Sequence, residues 1–494
     1  MSNDSRAHTT PTTSYSPRLY NADLAPVEKR TWGVYNFFAL WMQDIHSITV
    51  YTFAAALFFM GLNGWQVFAA LTISVLIIWA LMTLVGIAGQ RTGVPFPVLA
   101  RSVFGINGAN VAALIRAGVA VIYYGVLTYL GSVSLQLAAL RLVPGLQAWT
   151  RPSFLGLHAL GWVCFAVMWL IQLVVVRRGM DAVRRFQDWA GPAVWVVMLA
   201  LAVWMVVKAG GHISFDLTPD QAHGRHLVYE LFAAVALNVS FFATFLVNFA
   251  DFSRHARSTR AVLWGNFLGL PVNFVVFALV AVTVTSSSIV IYGQAVTDPV
   301  KLVELTRDPY VIVLGAAVFV IATIGINVIA DFISCAYDFS NLMPKHITFF
   351  RGGLIAAVLS VLPLPWHLYN NPDSIKYFVG GLGAFLGPLF GVLMTDYWLV
   401  KRGRIDVGEL YNASPAGKYF YRGGFNPRAL AALGIATAIS AVLALVPVFS
   451  AVGPFSWVVG VVLAAAFYWP LSRRERAARP AVPTSAPVPA AVSG

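Results

Sequence analysis

Long apolar runs with at most one charged residue each recur along this chain of 494 residues, and they restrict it to a membrane fold. A bilayer core about 30 Å thick requires roughly 20 apolar residues for one helical crossing. Runs of about this size, bounded by charged or turn-forming residues, occupy 35–60, 65–89, 107–131, 155–176, 188–207, 228–250, 263–285, 309–333, 352–366, 377–400, 428–448 and 454–471. The sequence lacks short segments of alternating polarity, so helices rather than barrel strands are predicted. We therefore expect an all-α membrane protein with twelve transmembrane helices.

The distribution of lysine and arginine predicts how these helices are oriented. The sequence contains 33 Lys and Arg against 20 Asp and Glu, a net charge of +13 that nucleic-acid-binding proteins also carry. With the N-terminus inside, 25 of the 33 basic residues fall in segments on the inner side, as the positive-inside rule requires. We therefore expect a multi-pass protein of the cell (inner) membrane with both termini in the cytoplasm, and no nucleic-acid partner. The first thirty residues lack the features of a signal peptide.

Three of the predicted spans carry polar groups near their midpoints. They are Gln43, Asp44, His46 and Ser47 in the first span, Asn238, Ser240, Thr244 and Asn248 in the sixth, and Asn327 and Asp331 in the eighth. An ionisable side chain in hydrocarbon is costly and usually faces a cavity, an ion or a partner. Transporters place such clusters at unwound helix midpoints, where free backbone groups bind solute and ions. The pattern therefore favours a transport site within the membrane.

Each of these residues also has a structural explanation. Asp44 and His46 are candidates for a buried hydrogen bond, and Asn327 is a candidate for a bond between helices that never touches solute. Aromatic residues make up 14% of the chain, so those of the third and sixth spans fit core packing as well as a binding surface. Arg116, inside the third span, is expected to pair with an acid on the inner side or to extend towards the inner surface.

Other functional classes fit the sequence less well. It contains no Walker-type glycine-rich loop and no His/Cys cluster at metal-ligand spacing, so neither an enzyme nor a cofactor is expected. A channel would favour a continuous polar stripe, and Ser47 beside His46 does not form a hydrolase pair because helix neighbours point about 100° apart. A substrate sensor derived from a transporter stays open. Cys164 and Cys335 lie in or beside spans, so no disulfide is predicted.

Several longer motifs run through most of the span region. They are NADLAPVEKRTW, GLNGWQV, GVPFPVLARSVFGINGAN, NFADFSR, INVIADFISCAYDFSNLMPK and GAFLGPLFGVLMTDYWLVKRGRIDVGELY. Together they resemble the nucleobase:cation symporter-1 family, which contains hydantoin, allantoin and cytosine permeases. The IH pair of the first span and DPYVIVL before the eighth are most similar to the allantoin permease branch.

This resemblance implies a LeuT-type fold, in which two inverted five-helix repeats precede two peripheral helices. It also implies that the first and sixth helices are broken at their middle, although neither WMQDIHSIT nor NVSFFATF contains Gly or Pro. The expected layout is a cytoplasmic N-terminal segment 1–32, repeats 33–208 and 226–400, a cytoplasmic loop 401–427, peripheral helices 428–472 and a disordered tail 473–494. We expect a monomer in the lipid bilayer.

The resemblance further implies a site for a flat solute between aromatic residues of helices three and six. The corresponding residues are Tyr123, Phe241 and Phe242 for the aromatic surface, and Ser47, Leu127 and Asp331 for the polar edge. Since a leucine cannot hydrogen-bond, the polar edge is expected to differ from that of the allantoin and hydantoin permeases. The stacking surface itself is expected to persist.

The coupling ion is predicted from the same comparison of positions. Sodium positions of the family map to Gln43, His46, Ala322, Gly325 and Ile326. The two hydroxyl ligands of helix eight are thereby replaced by Gly325 and Ile326, so no sodium or other metal site is expected. Protons are the predicted coupling ion, carried by Asp331, Asp44 and His46.

The sequence as a whole predicts a secondary transporter. It would import a small planar nitrogen heterocycle, such as a nucleobase, ureide or hydantoin, by proton symport through alternating access. Two alternatives stay open. In the first, the same carboxylates pair with a cationic, vitamin-like heteroaromatic substrate, assisted by cation–π contact with Tyr123 and Phe242. In the second, transport proceeds without any coupled ion.

Overall fold

Helices account for nearly all of the regular structure of the protein. The computed structural model describes residues 15–151, 153–213, 215, 222–296, 298–306, 308–369 and 372–473. The predicted disordered tail, apart from its first residue, and the first fourteen residues of the N-terminal segment lie outside the described residues.

The helices follow one another with short connections. In chain order they are α1 (Val34–Ile45), α2 (Ile48–Ala56), α3 (Gly64–Thr92), α4 (Phe96–Phe104), α5 (Ala109–Leu142), α6 (Ala159–Arg177), α7 (Met180–Lys208), α8 (Gly224–Phe241), α9 (Ala243–Asn248), α10 (Ala250–Ser253), α11 (Thr259–Phe267), α12 (Asn273–Tyr292), α13 (Pro299–Glu304), α14 (Pro309–Asn327), α15 (Ile333–Leu342), α16 (Phe349–Leu359), α17 (Pro365–Tyr369), α18 (Pro372–Met394), α19 (Pro427–Leu445) and α20 (Ser456–Leu471). A two-stranded antiparallel hairpin, β1 (Ser153–Phe154) and β2 (Leu157–His158), precedes α6.

All twelve predicted spans correspond to helical segments, and we call them helices one to twelve in chain order. Helix one is α1 with α2, helix three is α5, helix four is α6, helix six is α8 with α9, and helix eight is α14 with α15. Nine helical stretches of the described chain are long and apolar enough to cross a bilayer. The other three spans consist of shorter pieces, namely α1 with α2, α8 with α9, and α16 with α17. The predicted ninth span, 352–366, is wrong in detail because α16 ends at Leu359 and a turn separates it from α17. Both cysteines are buried and free.

The first helix is broken between Ile45 and Ile48. The backbone of Ser47 is extended, and its hydroxyl accepts a hydrogen bond from the Val50 amide at 3.3 Å, so it caps the second half. The sixth helix is interrupted at Phe242. Both expected breaks are thus present without Gly or Pro, and a serine cap supplies the first of them.

Three helices contain a π-helical turn that the sequence did not predict. The turns are Leu268–Val272, Val328–Phe332 and Thr395–Val400. Pro271 accounts for the first turn, because proline removes a backbone donor and clashes with the preceding turn. The second contains Asp331, and such wide turns are frequent at functional sites.

The N-terminal residues pack against the loop 401–427 on one side of the molecule. Residues 15–32 form an N-terminal strap that lies against the loop 401–427, with Ser16 N donating to the Tyr411 carbonyl at 3.1 Å and the Tyr411 hydroxyl to the Leu24 carbonyl at 2.6 Å. We call the side that carries the strap and this loop the terminus side. Close helix approach there depends on small residues: a Cβ on Gly89 of α3 would lie 2.6 Å from Ala250 Cα.

Candidate functional site

The polar midpoints of helices one and eight meet beside α5. Asp44 lies in the last turn of α1 before the break, and Asp331 lies in the π-helical turn that follows α14. This turn packs against α5, and α14 contacts both α1 and α5. The acids of helices one and eight are thereby brought into one region of the protein interior.

Asp331 is the centre of this arrangement. Its side chain is 1% exposed, and Oδ2 has no hydrogen-bond partner among the described residues. Asp44, Arg116 and Tyr123 all lie within electrostatic reach of it. Asp44 is likewise buried, and its Oδ1 lacks a partner in the described chain. Since unpaired buried carboxylates are costly, two of them within electrostatic reach of each other suit a proton or a ligand that donates hydrogen bonds.

Phe242 lies at the break of helix six. Its buried ring packs edge-on against Phe274 of α12, with centroids 6.0 Å apart, and against Phe241 at 5.7 Å. The Phe241 ring is itself stacked on Phe53 of α2 at 5.1 Å. The face of the Phe241 ring is thus covered by Phe53, whereas the ring contacts of Phe242 are edge-on. Phe242 is therefore the better candidate for stacking on solute.

Two further predicted residues border the same region. The Ser47 hydroxyl, which caps α2 at the helix break, also forms a hydrogen bond with Thr49 Oγ1 at 3.1 Å. Leu127 follows Tyr123 by one helical turn, which places both on one face of α5, and it is 4% exposed. Ser47 therefore combines a capping role with a position at the midpoint, while Leu127 contributes an apolar surface.

The side chain of His46 contacts α7 and α12. Its Nδ1 approaches the Met42 carbonyl at 3.1 Å, and its ring meets Phe277 of α12 and Trp195 of α7 edge-on at 5.3 and 6.0 Å. These contacts hold the imidazole among aromatic rings of α7 and α12, whereas Asp44 is grouped with Asp331. A role of His46 in coupling stays a prediction.

Gln43 occupies the junction between helices one and eight. Its Nε2 donates to the carbonyls of Ile321 and Ala322 at 3.3 and 3.2 Å, and the side chain is fully buried. The side chain lies directly over Gly325, where a Cβ would overlap it. A hydrogen-bond donor thus satisfies carbonyl oxygens of helix eight at positions that the sequence comparison associated with sodium.

Asn327 acts as a bond between helices. Its Nδ2 lies within hydrogen-bonding distance of the Tyr124 carbonyl at 3.1 Å, Thr128 Oγ1 at 2.9 Å and Gln172 Oε1 at 2.8 Å, which links helix eight to helices three and four. These contacts support the structural explanation for Asn327, a bond between helices, over a contact with solute. Its partners Thr128 and Gln172 were missed, although a glutamine within the apolar fourth span is a signal of such a bond.

Arg116 has the acidic partner that the sequence led us to expect. Its Nη1 lies 3.4 Å from Asp338 Oδ2, and both side chains are buried. Asp338 lies on α15, two turns beyond Asp331 towards the terminus side. The pair therefore lies on the terminus side of Asp331.

The whole length of the membrane region matches known permeases. A family model described as permease for cytosine/purines, uracil, thiamine and allantoin matches residues 25–466. The chain belongs to this permease family. It is 39% identical to the allantoin permease of Bacillus subtilis over 95% of this chain and 96% of that protein. It is 33% identical to a purine-uracil permease of Arabidopsis thaliana, over 88% of this chain and 72% of that protein.

Solved structures share the fold of this permease. MHP1, a nucleobase-cation-symport-1 family transporter in a closed conformation with bromovinylhydantoin bound, superposes with a TM-score of 0.77 at 23% identity, over 92% of this chain and 96% of that one. Its inward-facing conformation gives 0.71 at 24% identity, over 92% and 94%. The resemblance and the fold inferred from the sequence are thereby confirmed. The permease is a multi-pass membrane transporter of small molecules and not an enzyme.

Proposed function

We propose that this permease imports a small planar nitrogen heterocycle, such as a nucleobase, ureide or hydantoin, by proton symport. The observation that carries the proposal is Asp331, a buried carboxyl with one oxygen that lacks a partner in the described chain, within electrostatic reach of Tyr123 and Asp44. Tyr123 and Phe242 would stack on the ring, while Asp331 and Ser47 would bind its polar edge. The transporter would act as a monomer in the cell membrane, with the terminus side in the cytoplasm, where most basic residues fall.

Sodium coupling is disfavoured by the junction of helices one and eight. The Gln43 amide donates to the Ala322 carbonyl, and Gly325 and Ile326 offer no side-chain oxygen. A hard cation needs several oxygen ligands at once. A donor nitrogen in this place competes with the cation for the same carbonyl, so protons are the better candidate.

A cationic heteroaromatic substrate is the second candidate. It is favoured by the two buried carboxyls of Asp44 and Asp331, each with one oxygen that has no partner among the described residues, because a positive ring nitrogen would neutralise them as a proton does. Tyr123 and Phe242 would then add cation–π attraction. In this case Asp44 and Asp331 are substrate counter-ions.

The first experiment identifies a ligand and then tests Asp331. Purified protein is screened by thermal shift against uracil, cytosine, allantoin, hydantoin and thiamine at two pH values, with and without sodium. Uptake of the stabilising compound is then measured in proteoliposomes with an imposed pH gradient. We expect uptake that depends on the gradient but not on sodium, and Asp331→Asn is expected to abolish the pH dependence.

The control is Asp181→Asn, the same change at an acid whose side chain is 75% exposed, and it should leave uptake unaltered. Wild-type pH dependence in Asp331→Asn would contradict coupling through this residue. Stabilisation by thiamine alone would favour the cationic substrate instead.

A further inference from the structure

A second group of buried polar residues lies on the terminus side of the site. We call it the arginine cluster, and it consists of Arg116, Asn248, Asp251, Ser334 and Asp338. Each of these side chains is at most 1% exposed. Besides its pair with Asp338, Arg116 donates through Nη2 to the Ala330 carbonyl at 3.0 Å, immediately before Asp331. The guanidinium therefore lies between the acid of the site and Asp338.

The cluster joins four separate elements. When the Asn248 amide is oriented so that its oxygen faces Arg116, that oxygen accepts from Nη2 at 2.7 Å and from the Ser334 hydroxyl. Asp251 Oδ1 accepts from the amide of Phe96 at 2.7 Å, at the start of α4. Helices three, six and eight are thus tied to α4 around one guanidinium.

The acids around this guanidinium outnumber the bases. Four buried carboxyls, those of Asp44, Asp251, Asp331 and Asp338, each have one oxygen without a partner among the described residues. The charged and titratable groups within electrostatic reach of these acids are Arg116, Arg254, Tyr123, Tyr124, Cys335 and Tyr337. The two arginines balance two carboxylates. Because a buried unpaired carboxylate is strongly disfavoured, the other two acids are expected to carry protons or to face a cationic ligand.

Helix eight provides a connection between the two groups. Ser334 follows Asp331 by three residues and precedes Asp338 by four, so the three side chains share one face along two turns. We propose that the arginine cluster is a second proton-binding site that receives the proton from Asp331 and releases it on the terminus side. The Asp331 carboxyl loses its proton and the Asp338 carboxylate gains it. The Ser334 hydroxyl, which lies 3.3 Å from the Ala330 carbonyl, would rotate to bridge the two acids. Arg116 stays charged and pairs with whichever acid is ionised.

This inference deepens the proposed proton coupling, and its test counts protons without any substrate. Protein in weakly buffered detergent is unfolded at pH 7, where exposed aspartates ionise, and net proton release is measured. Charge balance predicts that Asp338→Asn releases one proton fewer than wild type and that Arg116→Gln releases one more. The double variant should return to the wild-type count, since one acid and one base are removed together.

Two further variants complete the design. Asp251→Asn keeps an oxygen to accept from Phe96, so it is expected to fold and to release one proton fewer. Asp181→Asn, at the exposed acid, should leave the count unchanged. Equal release by wild type, Asp338→Asn, Asp251→Asn and Arg116→Gln would overturn the proposal, as would a double variant that fails to restore the count. Because the assay involves no transport, a failure here is separable from a failure of Asp331→Asn in uptake.

Discussion

At the scale of single residues, Phe242 offers the clearest test of the aromatic surface. Its ring is held by Phe274 and Phe241 at the break of helix six. Phe242→Ala is expected to weaken ligand binding by roughly 1–3 kcal/mol, the usual contribution of a stacked ring. Phe242→Trp should retain binding because the larger ring keeps a stacking face. Calorimetric titration of the purified protein with the ligand identified by thermal shift measures both.

The control for this prediction is Phe390→Ala. Phe390 is equally buried but packs against Trp457 in the α18–α20 contact. Truncating it should lower thermal stability, as large-to-small core changes do, while affinity stays at the wild-type value. Wild-type affinity in Phe242→Ala would mean that the helix-six ring is a different residue.

Residue type and spacing predicted that some of the site residues lie together, but they did not predict the whole site. Asp44 and Asp331 were predicted as mid-membrane acids, and the structure brings them within electrostatic reach of each other. The contacts of His46 and Asn327 were not predictable, because the direction of a side chain on a helix is decided by the neighbours that pack around it. A polar residue in an apolar span signals that a partner exists and leaves the partner unidentified.

At the scale of elements, the junction of helices one and eight depends on a fit between Gln43 and Gly325. Gly325→Ala should displace the Gln43 amide from the Ile321 and Ala322 carbonyls and destabilise the protein, since overpacking typically costs about 1–3 kcal/mol. Thermal unfolding in detergent measures the effect. In a Gln43→Ala background the added methyl has room, so its cost should largely disappear. An equal loss of stability in both backgrounds would exclude this steric explanation.

The length of the apolar runs predicted the helices well, because the backbone polar groups of a transmembrane segment must form their hydrogen bonds within one helix. The internal irregularities were harder to predict. The turn Val328–Phe332 contains neither Gly nor Pro, so its widening follows from tertiary contacts with α5 and not from local propensity. The break of helix one was expected from its polar midpoint and from the resemblance, and Ser47 caps the second half of the broken helix.

At the scale of the whole molecule, the N-terminal strap connects elements that are distant in sequence. Asn21 Nδ2 lies within hydrogen-bonding distance of Ser340 Oγ at 2.8 Å and of the Pro344 and Ile347 carbonyls at 3.2 Å each, which anchors the strap to the end of helix eight. Trp32 stacks on His255, whose pKa is lowered to about 3 by burial and by the charge of Arg254. The ring is therefore neutral at physiological pH. The strap therefore ties the ends of helices six and eight together on the terminus side.

Loss of the Asn21 contacts should favour opening of that side. Cys335 is fully buried on α15, so in a Cys164→Ser background its alkylation by N-ethylmaleimide reports exposure of the terminus-side interior. Hydrogen bonds contribute about 1 kcal/mol each, so Asn21→Ala is expected to accelerate labelling by roughly tenfold through a shift towards open conformations. Asn412→Ala is the matched control, because Asn412 Nδ2 bonds only locally to Glu409 among the described residues. Equal labelling rates in the two variants would mean that the strap covers the closed side without holding it shut.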